Sequence, residues 1–251
     1  MLNSSKVFGS SESLLAEIIS FSLLFNIFIA LSNNSFLSSE KTLWSDKGSK
    51  SEVLANIYNK EKNIVIWQRK LTRALVKSAE NILTLSPTFK ITAVVRPEDK
   101  CLSLKKALGS KVISQSLLED IENLVEMFCF LFGLKQAGLR LTALDNAMCP
   151  RFHVDRVPCR LLTTYHGIAT EWIPHTFADR KKLGSGNQGM SDEQSGLIQY
   201  LNEIQQLNTG EVALLKGEAW EENEGKGLIH RSPKLHNGSK RLLMTLDFVN
   251  D

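Results

Sequence analysis

From residue 139 onward the sequence breaks into short apolar stretches bounded by turn-forming residues: 139–144 (LRLTAL), 151–155 (RFHVD), 159–165 (CRLLTTY), 211–217 (EVALLKG), 227–231 (GLIHR) and 241–248 (RLLMTLDF). Runs this short and this regularly punctuated read as strands, and many short strands with few helices predict a sandwich or a barrel. One helix is expected to interrupt them at 192–207, opened by Ser191 with Gln194 three residues later in a capping-box pattern. Upstream, 52–58, 69–83 and 116–134 carry apolar residues at helical spacing, whereas 63–67 (NIVIW) and 89–95 (FKITAVV) are short and β-branched. The aromatic cluster Phe128, Phe130 and Phe132 is expected in the core. The fold class is therefore α+β: a jelly-roll or cupin-like C-terminal barrel over 137–251, with N-terminal α/β elements over 51–136 packed on it.

Composition narrows the function classes. With 251 residues, 43% of them hydrophobic, the chain can bury a sizeable core, which excludes a disordered or collagen-like protein. A net charge of +3 is too slight to predict nucleic-acid binding. The four cysteines, at 101, 129, 149 and 159, form neither a disulfide framework nor CxxC pairs, so free thiols in a reducing compartment, the cytoplasm, are expected. Residues 14–31 form the most apolar stretch, about long enough to cross a bilayer. Glu17, Ser20, Ser22 and Asn26 interrupt it, which favours an amphipathic helix or extension over a signal or anchor. Residues 1–50 read as a leader and linker, the Ser-, Asn- and Lys-rich 32–51 being the linker. The glycine-rich 184–189 (GSGNQG) lacks the flanking strand and Lys-Ser/Thr ending of a phosphate loop and reads as a mobile surface loop.

The chemistry concentrates in RFHVD. His153 and Asp155 are two apart, so on a strand they project to one face and can converge on one ion. His230, near the end of the 227–231 strand, is the best third ligand. Two neutral imidazoles and a carboxylate on one face of a metal leave positions open, the arrangement suited to non-haem Fe(II). Arg241 opens the last strand and could fork onto a dicarboxylic co-substrate, with Thr245 on the same strand face adding a hydroxyl. Arg160 and Tyr165 are further candidates for holding that acid, although five residues apart on a regular strand they aim oppositely.

The order HxD, a strand pair, a distal His and an Arg about ten residues later resembles the Fe(II)- and 2-oxoglutarate-dependent oxygenases on a double-stranded β-helix. The segments CPRFHVDRVPCRLLTTYHGIATEW and HRSPKLHNGSKRLLMTLDF, with SEVLANIYNKEKNIVIWQRKL upstream, are more closely similar to a bacterial family, domain of unknown function 1826, over about 50–251. The first resemblance implies iron held by His153, Asp155 and His230, and 2-oxoglutarate anchored by Arg241. It also implies decarboxylation of that acid to succinate while a substrate C–H bond is oxidised. The usual Arg-x-Ser/Thr is here Arg241-Leu242-Leu243. The second implies a link to zinc homeostasis and metal limitation.

Other readings stand beside these. The same residues could hold zinc without turnover, or the barrel could serve only as an interaction scaffold. Cys149 and Cys159 flank the triplet and with His153 could compose a thiolate-rich zinc site, although their spacing is not a standard one and small packed residues are the simpler reading. Arg241 could instead form a buried pair with Asp247 or Glu211. Trp172 and Trp220 are core fillers or pocket walls, and His166, His175 and His236 read as loop histidines. The substrate and the oligomeric state are not specified by any motif.

Overall fold

The computed structural model describes residues 44–99, 113–236 and 238–249, and among these residues apolar spacing sets two α-helices. Helix α1 (Arg73–Leu85) buries Leu75, Ser78, Ala79, Ile82 and Leu83, a single stripe at helical intervals, and Thr72 caps it by accepting the Leu75 N–H at 3.3 Å. Helix α2 (Gln115–Phe132) is capped in the same way by Ser114 and buries seven residues from Leu117 to Cys129. It stops at Gly133, whose φ of 63° is the left-handed conformation that lets the Leu134 N–H reach back to the Cys129 carbonyl at 2.9 Å.

Ten strands are present among the described residues: β1 (Ser45–Gly48), β2 (Ile64–Trp67), β3 (Lys90–Val95), β4 (Ala137–Leu144), β5 (Cys159–His166), β6 (Glu171–Ile173), β7 (Gln205–Gln206), β8 (Val212–Lys216), β9 (Ile229–Arg231) and β10 (Arg241–Asp247). They form a seven-stranded sheet, β1-β2-β8-β5-β10-β4-β3, antiparallel except at β1–β2, and a three-stranded sheet, β7-β6-β9. Alternation divides the large sheet into two faces. Leu139, Leu141, Leu161, Leu214, Met244 and Leu246 meet both helices in one core. Leu162, Ala213, Leu215 and Leu243, on the other face, meet Trp172 of β6 and Leu228, the residue before β9, in a second. The protein is thus a mixed α+β structure in which 45–95 contributes three strands to the same large sheet as 137–247.

Several expectations are corrected. Ser45–Gly48, read as linker, is a strand, because pairing with β2 satisfies its backbone. Residues 192–207 do not form a helix. Gly196 takes φ 79°, Ile198 bridges Ala178, and only a 3-10 turn, Leu201–Glu203, is helical. Asp192, the first residue of that expected helix, instead pairs with Arg151 and Arg231. Residues 51–58 wind as a 3-10 helix. Phe130 is 90% exposed, since residues two apart on a helix cannot share a face with Phe128 and Phe132. Residues 184–189 are a mostly exposed loop holding a 3-10 turn, Gly184–Asn187. The chain divides into residues 1–42 and 43–251, and the apolar 14–31 stretch lies outside the described residues. No helix among the described residues is long and apolar enough to cross a membrane.

Candidate metal centre

His153 and His230 come from distant parts of the chain but face each other across a one-rung antiparallel bridge, each backbone N–H donating to the other's carbonyl at 3.0 Å. Their rings lie 4.6 Å apart. The His153 Nδ1–H donates to the Arg151 carbonyl at 2.9 Å and the His230 Nδ1–H to the Leu228 carbonyl at 3.2 Å. Carbonyls only accept, so each Nδ1 carries a proton, which leaves Nε2 as the atom of each ring able to bind a metal. Both Nε2 atoms face Asp155, at 3.8 Å from Oδ1 for His153 and 3.4 Å from Oδ2 for His230. One ligand atom from each of the three lies within 4.8 Å of the others. A cation with bonds of about 2.1 Å needs its ligand atoms within about 4.2 Å of one another, so binding would draw these atoms slightly closer. Burial, with His153 adding to it, holds the His230 imidazole down to about 4, in the neutral form that a metal requires.

Neighbouring residues fix this group. Asp192 accepts the Phe152 N–H at 2.7 Å and pairs with Arg151, while the Arg231 guanidinium covers the Phe152 ring at 4.2 Å. Gly217 passes so close to the loop after Asp155 that a Cβ there would lie 2.0 Å from the Val157 carbonyl oxygen. That approach lets the Glu218 N–H reach the Asp155 carbonyl at 2.8 Å. Arg160, expected to hold a co-substrate, is committed elsewhere. Its Nη1 donates to Asp155 Oδ2 at 2.6 Å, and its Nε and Nη2 fork onto Asp247 at 2.7 and 3.1 Å. Arg140 pairs with the same Asp247 at 2.7 Å. Asp247 is therefore not the partner of Arg241.

Arg241 is 1% exposed, and a one-residue slip in register follows it between Leu242 and Leu243. Its Nη2 donates to Thr164 Oγ1 at 3.2 Å and Thr170 Oγ1 at 2.6 Å, its Nε has no hydrogen-bond partner, and among the described residues no carboxylate forms an ion pair with it. Burial alone pulls it down to about 10. Thr170 also lines a cavity of about 80 Å³ together with His153, His230, Arg160, Leu243 and Thr245. Tyr165 is not brought there. It lies on the helix side of the sheet, where its hydroxyl donates to Asp120 Oδ2 at 2.6 Å, and Asp120 in turn holds Arg69 in a two-pronged pair. Burial and that carboxylate raise the phenol well above its ordinary value.

Cys159 belongs to the same helix-side core, which separates it from exposed Cys149 on the cavity side, so the thiolate-rich zinc alternative is not assembled. Trp172 is core, whereas Trp220 walls a recess on the helix side. His175 stacks on Trp44 at 4.2 Å, and His166 and His236 line a separate cavity. Thr164, Thr170, Asp192 and Asp247 were not singled out as site residues by the sequence. Strand parity with Arg160 and Arg241 marks Thr164 and Asp247 as sharing the cavity face, but no local signal marks Thr170 or Asp192.

Fold and centre together define a mixed α+β protein with a His-Asp-His group able to hold one metal ion. The chain belongs to the family described as Protein of unknown function (DUF1826), whose model matches residues 48–247. No curated protein matches it. Among solved structures it is similar to a dioxygenase for auxin oxidation in rice, with 10% identity and a TM-score of 0.46, over 82% of this chain and 83% of that one. It is similar to iron-bound HygX from Streptomyces hygroscopicus, with 11% identity and a TM-score of 0.44, over 78% and 85%. A Pseudomonas putida prolyl-4-hydroxylase matches with 11% identity and a TM-score of 0.41, over 80% and 98%. At TM-scores below 0.5 these likenesses assign neither activity nor ligands to this chain.

Proposed function

We propose that this protein is a non-haem Fe(II)- and 2-oxoglutarate-dependent oxygenase whose two sheets form a double-stranded β-helix. The observation that carries this reading is the pairing of the His-Asp-His group with a buried guanidinium that lacks a carboxylate partner. A buried cation normally has a counter-charge. The orphaned Nε of Arg241 and its threonine partner on the cavity wall suit the distal carboxylate of a dicarboxylic acid.

In this reading His153, Asp155 and His230 hold the iron through two Nε2 atoms and a carboxylate oxygen. Iron(II) with 2-oxoglutarate supplies the activation of dioxygen that oxidises a substrate C–H bond. The protein's own residues do the rest. The Arg151 and Leu228 carbonyls orient the imidazoles, Arg160 restrains Asp155, and Arg241 with Thr164 and Thr170 binds the acid. Thr245 adds a hydroxyl to the cavity wall, and Leu162 and Leu243 give that wall an apolar, water-excluding stretch.

The test is anaerobic reconstitution with Fe(II), followed by 2-oxoglutarate, read as a visible metal-to-ligand charge-transfer band. His153→Ala and His230→Ala should each lose metal while keeping the wild-type near-UV circular dichroism. Normal metal loading in either variant refutes the ligand assignment. Tight zinc uptake indifferent to 2-oxoglutarate would replace the oxygenase by a non-catalytic zinc protein.

A further inference from the structure

A second buried cation lies on the opposite face of the large sheet. Lys216, at the end of β8, shares the helix-side face with Val212 and Leu214 and is 2% exposed. Its ammonium donates to the Asn59 carbonyl at 2.8 Å and sits 4.8 Å from the centroid of the Trp220 ring. An ammonium has three hydrogens to donate. Among the described residues it makes no ion pair, and the charge acting on it is that of Lys226, since burial keeps the neighbouring Cys159 thiol protonated and neutral. Burial lowers Lys216 to about 8, which still leaves it largely cationic at neutral pH.

This ammonium floors a recess of about 470 Å³, within the size range of small-molecule sites. Tyr58, Phe132, Trp220 and Phe248 wall it. Tyr58 and Phe132 each meet Trp220 edge-on, at 5.5 and 5.9 Å, and Phe132 meets Phe248 at 5.1 Å. Four partly exposed rings around a buried charge offer stacking area and one electrostatic anchor. At the rim, Glu222 is neutralised by its pair with Lys60, while Glu221 is exposed and disfavours a polyanion. Lys216 and Lys226 also disfavour a cationic guest, which aromatic walls would otherwise suit.

We propose that this recess is a second ligand site, independent of the metal centre, that binds an aromatic monocarboxylate, with its ring among Tyr58, Phe132 and Trp220 and its carboxylate on Lys216. The charge of Lys216 then meets its counter-charge only in the liganded protein.

The test is calorimetric and tryptophan-fluorescence titration of the full chain with benzoate, and with benzamide as a neutral isostere. Saturable benzoate binding is expected, with benzamide weaker by about tenfold or more. Lys216→Met should erase that difference. Tyr58→Ser, at the exposed mouth, should weaken both ligands and leaves the proposal testable if the Lys216 variant does not fold. Arg241→Met should leave benzoate binding unchanged. Failure of benzoate to bind at millimolar concentration overturns the proposal, as does equal affinity for benzamide or an unaltered preference in Lys216→Met. Loss of benzoate binding in Arg241→Met would place the acid in the metal cavity and equally overturn it.

Discussion

Replacing Arg241 by Met should separate co-substrate binding from folding stability, with effects of unequal size. The guanidinium is held at about 10 instead of 12.5 by burial alone, and each pKa step is worth about 1.4 kcal/mol, so its charge carries roughly 3 kcal/mol of unrelieved desolvation. The substitution removes that cost. It also removes the bonds to Thr164 and Thr170, worth about 1 kcal/mol each. The ligand-free variant should therefore lie within about 1 kcal/mol of wild type, or be more stable. Binding of 2-oxoglutarate to the metal-loaded protein should weaken by about 2–5 kcal/mol, or roughly thirtyfold to several thousandfold, because a buried charge-assisted pair is lost. Urea denaturation of the metal-free protein and titration of the loaded protein measure the two effects. A destabilisation of more than about 2 kcal/mol would show that the guanidinium is structural. Undiminished 2-oxoglutarate affinity would remove it from the co-substrate site.

Arg160→Gln leaves Asp155 and Asp247 without their shared cation, so stability should fall by about 3 kcal/mol and metal affinity by about tenfold or more, measured by denaturation and metal titration. Unchanged metal affinity would mean that Asp155 orients itself. Tyr165→Phe deletes the hydroxyl bond to Asp120 and should cost about 2 kcal/mol of stability without altering 2-oxoglutarate affinity, whereas an altered affinity would return Tyr165 to the site. His175 is held at about 4 by burial, with Arg180 and Lys226 adding to it, so the fold keeps it neutral. The unfolded chain takes up that proton from about 6.5 downward, so this residue's contribution is fully present above that pH and is lost as pH falls toward 4. His175→Gln should flatten the decline in melting temperature over that window, and parallel curves would contradict the assignment.

The elements legible in the sequence are those whose periodicity is long or strongly alternating. Helix α2 and strands β4, β5, β8 and β10 fall within a few residues of their expected positions, since each buries a face that its own pattern specifies. That His153, Asp155 and His230 could share an ion was legible because their donor chemistry is scarce in the chain, although 151–155 is not the expected strand and only His153 joins a one-rung bridge. What failed depends on partners distant in sequence. Ser45–Gly48 is a strand only because β2 offers an edge, and at the start of 192–207, which is not a helix, Asp192 pairs with Arg151 and Arg231. For Arg160 and Tyr165 the odd spacing correctly signalled opposite faces, but their acidic partners Asp247 and Asp120 lie far along the chain and leave no local trace.

The single rung joining His153 to His230 also ties the centre to the order in which the molecule assembles. These imidazoles meet only after the whole intervening loop has closed, and contacts between distant residues form slowly because the entropy of closure precedes their reward. A bound cation would staple that seam shut. Metal loading should therefore slow proteolysis between the two histidines more than anywhere else, because the ion would tie together two segments distant in sequence.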